Sequence, residues 1–210
     1  SGPQQLASFA TKYHFRGMRF YDDTSSGKTY LYYCEHNVSN TGGGLRAFDV
    51  SAGTLDDVWD TGLVAGDDSS GMEIVGNHLY AMFQTGNSGA NRALRVYDLS
   101  VPTNPTLCHT EALPVINGAG SYELERHPTA PALLASLNND GLLYIDVSTP
   151  CTPVISTVII SHPAISMSGS AHLNSLISMA WGTVNGVHFQ LVMFNPPFLP
   201  PQILSVLVPN

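Results

Sequence analysis

An all-β chain built from repeats of one small antiparallel sheet is what the sequence predicts, and three observations predict it. A short apolar segment ending in Asp or Asn returns four times at nearly constant spacing. The apolar segments are short, rich in Val, Ile, Tyr and Phe, and bounded by Gly, Asn, Asp and Pro. No stretch carries an apolar stripe at the 3.6-residue period of a helix, and no Ala/Glu/Lys/Leu-rich run is present.

The repeated segment comes first. Leu45-Arg46-Ala47-Phe48-Asp49-Val50-Ser51 returns as Leu94-Arg95-Val96-Tyr97-Asp98-Leu99-Ser100 and as Leu142-Leu143-Tyr144-Ile145-Asp146-Val147-Ser148. A weaker fourth copy is Leu191-Val192-Met193-Phe194-Asn195. The anchors Asp49, Asp98, Asp146 and Asn195 are 49, 48 and 49 residues apart. Each copy reads as the third strand, c, of a unit. A strand b precedes it across a Gly/Asn-rich loop, at Tyr30–Cys34, Leu79–Phe83, Leu133–Leu137 and Leu176–Ala180. A short strand a comes earlier, at Met18–Phe20, Met72–Ile74, Tyr122–Leu124 and Met167–Ser168. A proline-rich turn and a strand d follow the anchor, as in Val101-Pro102-Thr103-Asn104-Pro105 and Thr149-Pro150-Cys151-Thr152-Pro153. Asn138-Asn139-Asp140-Gly141 is a tight hairpin signal, because these residues tolerate positive φ.

Four-stranded units repeating every 40 to 50 residues are the signature of a β-propeller, one unit per blade. The expected division is 1–15 as an orphan d strand and linker, then blades at 16–62, 63–113, 114–160 and 161–210. Ser1 to Phe9 aligns with Ser148 to Ser156, a c–d turn with strand d, although the last unit has its own d strand at Ile203 to Leu207. Two arrangements follow. The chain is the four-blade portion of a larger propeller, or a four-blade ring with a spare strand open to pairing with another chain.

Each anchor Asp, followed by a small residue and then Pro or Gly, is placed to accept hydrogen bonds from the backbone of the next turn. The segment hydrophobic-x-aliphatic-Asp-Val-Ser followed by x-Pro-x-x-Pro resembles the LVIVD repeat of bacterial and archaeal surface-associated β-propellers. The match covers nearly the whole chain and is best at Val96–Pro105 and Ile145–Pro153. The first copy has Ala52-Gly53-Thr54-Leu55 in place of the prolines, and the fourth replaces Asp with Asn195. The resemblance implies a binding or scaffold propeller without a common catalytic residue set.

Composition excludes several function classes. Eight basic and sixteen acidic side chains give a net charge of −8, and Lys12 and Lys28 are the two lysines. With no Lys/Arg cluster to neutralise phosphates, no nucleic-acid partner is expected. The most apolar stretches fall far short of the roughly 20 residues of a membrane helix, so no membrane insertion is expected. The opening from Ser1 is polar and lacks the apolar run of a secretory leader. Charged residues are 11% of the chain, against about 25% in ordinary domains. Together with few lysines and many Ser, Thr, Asn and Gly, this points to an extracellular or cell-surface protein.

Functional candidates follow from the repeat. The b–c loops at 36–44, 84–92, 138–141 and 181–186 share one end with the d–a loops at 66–70, 116–120 and 161–163. Loops on a rigid scaffold commonly carry function. His36, Asn87, Arg92 and Trp181 are the candidate contacts for a protein or glycan, since exposed aromatic and Arg side chains dominate interfaces. Strand a offers Arg19, Glu73, Glu123 and Ser168 at corresponding positions. Two carboxylates and an arginine at a channel mouth are the alternative site, for a hydrolase or lyase. A structural subunit of a filament or surface layer, pairing through Gln5–Phe9, is the third reading.

Other chemistry has little support. No GxSxG elbow, HExxH pair or phosphate-cradling loop occurs, and no cofactor or metal is expected. Asp22-Asp23 and Asp67-Asp68 lack the ligand pattern of a calcium loop. His78, His127 and His172 fall near a–b turns at repeat-like spacing, which argues for turn geometry. The three cysteines have no CxxC spacing and read as small buried hydrophobes, with a Cys108–Cys151 disulfide as the alternative if neighbouring repeats bring them together. Asn37-Val38-Ser39 is an N-glycosylation triplet.

Overall fold

A computed structural model describes residues 13–37, 42–62, 64–65, 67–85, 91–113, 124–136, 142–158, 176–184, 187–194 and 202–207. Among these, every regular element is a β-strand, and the strands form four antiparallel sheets.

The first sheet runs β1 (Tyr13–Asp23), β2 (Lys28–Asn37), β3 (Gly42–Asp49), β4 (Asp56–Asp60), with β5 (Val64–Ala65) also paired to β3. The second runs β6 (Asp67–Val75), β7 (His78–Thr85), β8 (Asn91–Asp98), β9 (Thr106–Ala112). The third runs β10 (Leu124–Arg126), β11 (Ala132–Ser136), β12 (Leu142–Asp146), β13 (Val154–Val158). A fourth holds β14 (Leu176–Val184), β15 (Val187–Phe194) and β16 (Gln202–Leu207), which are its b, c and d strands. The a strand expected at Met167–Ser168, the anchor Asn195 and the orphan strand at 1–9 lie outside the described residues. Strand β1 begins at Tyr13, inside the stretch read as linker, and β5 was not foreseen.

Register confirms the repeat. Tyr30 pairs with Asp49, His78 with Asp98, and Ala132 with Asp146. Residues 30, 78 and 132 are therefore equivalent, as are 32, 80 and 134. After each anchor the backbone N–H of Val50, Leu99 or Val147 donates to the carbonyl of Thr29, Asn77 or Pro131. The carboxylates do what their position requires. Oδ1 of Asp49, Asp98 and Asp146 accepts the N–H of Ser51 at 3.0 Å, of Ser100 at 2.8 Å and of Ser148 at 2.8 Å.

The three complete sheets stack face to face, with the second in the middle. Alternation along β7 shows how: Leu79, Ala81 and Phe83 pack with Tyr30, Tyr32, Cys34, Leu45 and Ala47 of the first sheet. Tyr80 and Met82, on the opposite face, pack with Leu124, Leu133, Ala135, Leu143 and Ile145 of the third. The period of two in a strand thus feeds two cores, which is why its sequence is a continuous apolar run. Trp59 sits edge-on between Tyr32 at 6.2 Å and Tyr97 at 5.6 Å, joining the first two sheets.

A second inter-sheet link also repeats. The Tyr32 hydroxyl donates to the Pro102 carbonyl at 2.6 Å, and the equivalent Tyr80 donates to the Pro150 carbonyl at 3.4 Å. Burial pushes the Tyr80 phenol up to about 12, and Tyr32 higher still, so both remain protonated donors. Position 134 is Leu, and the link ends there. Tyr32→Phe is expected to cost about 1–2 kcal/mol, because a buried carbonyl loses its donor. The longer Tyr80 bond predicts a smaller loss for Tyr80→Phe, and urea unfolding of the two variants checks the order.

Gly44 is fixed by close approach. A Cβ there would lie 2.5 Å from the Gly62 carbonyl oxygen, so the backbone would have to move. Ser69, fully buried on β6, places its hydroxyl 2.9 Å from the Gly44 carbonyl and 2.8 Å from that of Glu35. The second sheet is thereby tied to the first at the same place.

Candidate functional site

The antiparallel connectivity gives each sheet two ends. The a–b and c–d turns share one end. There Asp23 accepts from the hydroxyls of Ser25 and Ser26, and Lys28 bridges to Asp49 at 2.7 Å. His127 is buried, and its Nδ1 accepts the N–H groups of Thr129 at 3.2 Å and Ala130 at 2.9 Å. It therefore fixes its turn, as its position near an a–b turn suggested. The Tyr32–Pro102 and Tyr80–Pro150 links reach this end too. So does the disulfide between Cys108 of β9 and Cys151 of the β12–β13 turn, with Cα atoms 5.6 Å apart. The remaining cysteine, Cys34, is buried in the core between the first two sheets.

These bonds predict an acid response. The Lys28 ammonium and the Ser51 hydroxyl hold the Asp49 carboxyl down at about 2, from an ordinary 3.8. Asp98 and Asp146 are also lowered, by the Ser100 hydroxyl and the Ser148 N–H respectively. A carboxyl depressed in the folded state gives stability that is full above its unfolded value and is lost as pH falls through the folded one. Stability should therefore fall from about pH 4 toward pH 2, and the D49N/D98N/D146N variant should show a shallower slope in that window by urea unfolding.

The first strands of the three complete sheets carry the predicted charged group, with one change of residue. Arg19 of β1 pairs with Tyr32, Glu73 of β6 with Tyr80, and Glu125 of β10 with Leu134. These are equivalent positions, so Glu125 stands where Glu123 was expected; Glu123 lies outside the described residues. Arg19 Nε donates to Glu73 at 2.8 Å, and Nη2 lies 3.4 Å from Glu125 and 3.3 Å from the Leu124 carbonyl. The other oxygen of Glu73 accepts the N–H of Ile74 at 2.9 Å. One guanidinium thus ties three sheets together. A catalytic pair needs one carboxyl free to exchange a proton, and both of these face the same arginine. Arg19→Ala leaves the buried Glu73 without its cation, and we expect it to cost about 2 kcal/mol.

A second charged group was not anticipated. Arg46 of β3 contacts Asp57, with Asp60 at 3.6 Å and the buried Glu35 at 3.8 Å. Burial pushes the Glu35 carboxyl up. Arg46 and Arg95 hold the same place in the repeat, and each lies over a ring, Phe48 at 5.7 Å and Phe83 at 4.0 Å.

The opposite end, with the b–c and d–a connections, corrects several expectations. Arg92 is buried at 2% exposure and is not a surface contact. Trp181 lies on β14, paired with Gln190, and not in a loop, because β14 runs on to Val184. Asp67 to Ser70, read as loop, belong to β6. His36 pairs with Gly43 near the end of β2, and Asn37 is the last residue of that strand. Asn87 and the loop at 138–141 lie outside the described residues.

No protein-family model matches the chain, and no curated protein matches it. Among solved structures, hydrazine synthase of Kuenenia stuttgartiensis is similar over 58% of this chain and 37% of that one, at 12% identity and a TM-score of 0.43. The chain thus spans well under half of that relative. No helix of the described residues is long and apolar enough to cross a membrane.

Proposed function

We propose that the chain is a β-propeller, or the four-blade portion of a larger one, acting as an extracellular or cell-surface binding and assembly module. The observation that carries this reading is the repeated anchoring of the a–b/c–d end, which makes the stacked sheets a rigid scaffold for the loops of the other end. The a–b/c–d end is committed to structure: anchor carboxylates, Tyr–Pro links and a disulfide occupy it. Recognition of a protein or glycan is assigned to the b–c/d–a end, where Ser69 also ties the first two sheets, with His36, Asn87 and Trp181 as the candidate contacts. Sparse lysine and a disulfide fit an oxidising, extracellular setting. The LVIVD-like anchors fit a scaffold family.

The hydrolase or lyase reading is the alternative; against it, Arg19 engages Glu73 and the neighbouring Glu125. Native mass spectrometry of the unreduced protein from its own source tests the proposal. A co-purifying chain or glycan, released by the H36A/N87A/W181A variant, is the expected result. A bare monomer that turns over a glycoside or ester substrate, and loses that turnover in E73A, would replace it with the enzyme.

A further inference from the structure

His78, Cys108 and Cys151 come from three separate segments of the chain and meet at one point. The imidazole nitrogen and the two Sγ atoms all lie within 4.8 Å of one another. Zinc bonds of about 2.3 Å to sulfur and 2.0 Å to nitrogen place tetrahedral ligands roughly 3.5–3.8 Å apart. A small movement of side chains converts one arrangement into the other.

Local structure explains why these side chains converge. His78 opens β7 directly after the Gly76-Asn77 turn, where Gly76 has φ of 60°. Cys108 is the extra residue of a β-bulge: Val96 pairs with His109 and Tyr97 with Leu107, leaving Cys108 unpaired in the ladder. Bulges re-aim a side chain, and here the side chain is aimed at the third sheet. Cys151 follows Pro150, whose carbonyl is already held by Tyr80.

The repeat supplies an internal control. The equivalent positions at the first interface are Tyr30, the bulge residue Val58, and Thr103. Tyr30 and Val58 pack there as ordinary apolar side chains. At the second interface the same three positions carry imidazole, thiol and thiol. Packing alone is satisfied by the first set, so the second has a chemistry that packing does not require.

We infer that reduction of the Cys108–Cys151 bond opens, with His78, a two-thiolate, one-imidazole site for a thiophilic d10 cation such as Zn2+. A dithiol reductant supplies two electrons and two protons; the protein S–S bond breaks into two thiols and the reductant closes into its own disulfide. Zn2+ then displaces both thiol protons and takes the imidazole lone pair, giving a neutral three-ligand centre with one position for water. A small-molecule disulfide reverses this by thiol–disulfide exchange: it takes up the two electrons and leaves as two thiolates, the protein S–S bond re-forms, and the ion is expelled. Cys108 is exposed, so the bond is open to a reductant. Asp98 pairs with His78 across the β7–β8 ladder, and a carboxylate beside the site favours a cation there. The centre is thus either a cross-link or a metal site.

The test uses the full chain, reduced with a phosphine and desalted without oxygen. Titration with Co2+ should give a thiolate-to-cobalt charge-transfer band that saturates at one equivalent and is abolished by Zn2+. The oxidised chain should give none. Loss of an outer partner alone weakens metal sites 10- to 100-fold, so H78A, which removes a ligand, should weaken binding about 100-fold or more. The C34S variant should bind as the parent does. Absence of the band in the reduced chain, or equal affinity in H78A, would overturn the inference. Binding seen only when the strand signal in circular dichroism is lost would overturn it as well.

Discussion

Reduction of the Cys108–Cys151 bond in the presence of a chelator is expected to lower stability by about 4 kcal/mol. The bond closes a loop across a sequence separation of 43 residues, and the loss of unfolded-chain entropy for a loop of that size is of this order. For a chain of this length, each kcal/mol moves Tm by roughly 2–4 °C. A fall of roughly 8–16 °C should therefore appear in a thermal melt with reductant, and C108A/C151A should reproduce it without reductant. The bond joins the second sheet to the third, so the loss should fall most heavily on the third. Hydrogen exchange of β11 and β12 should accelerate more than that of β2 and β3. Equal Tm values with and without reductant would mean that packing alone holds the two sheets together.

Leu94→Ala should cost about 3 kcal/mol. Leu94 is fully buried on β8, with Val96, Met82 and Tyr80, against Leu133, Ala135 and Leu143 of the third sheet. Neighbours from two sheets cannot both close on the gap, so the lost methyl groups leave a cavity. Leu107→Ala, at a site 49% exposed on β9, is the matched control and should change stability by less than about 0.5 kcal/mol. Urea unfolding of both variants, oxidised, separates the packing contribution from the disulfide. A Leu94→Ala loss no larger than that of Leu107→Ala would contradict the stacked arrangement.

The legible parts of this molecule are those fixed by nearby residues. An Asp two positions before a Ser closes its own turn, so Asp49, Asp98 and Asp146 could be read without knowing the fold. The b strands were legible because each is apolar on both faces, and the c strands of the three complete sheets because each ends in the Asp-x-Ser anchor. Register across strands was harder. The pairing of Glu125 with Leu134 puts it level with Arg19 and Glu73, and nothing local to Glu125 announces that. Trp181 stands at the start of the expected 181–186 loop, whereas β14 continues through it to Val184. Burial of Arg92 had no signal in its neighbours. The Tyr–Pro links did have one: Tyr32 and Tyr80 are as far apart as Pro102 and Pro150. The Cys108 bulge is a property of two strands together, and one strand cannot announce it.

Recognition at the b–c/d–a end and anchoring at the a–b/c–d end are separable by one comparison. Labelled wild-type chain, H36A/N87A/W181A and D49N/D98N/D146N would be titrated onto intact cells of the kind that make the protein. The account predicts saturable binding by the wild type. It predicts loss of that binding at unchanged Tm for the first variant, and retained binding at lowered Tm for the second. Binding that survives the first variant but disappears in the second while that protein is still folded would place recognition at the anchored end and contradict the account.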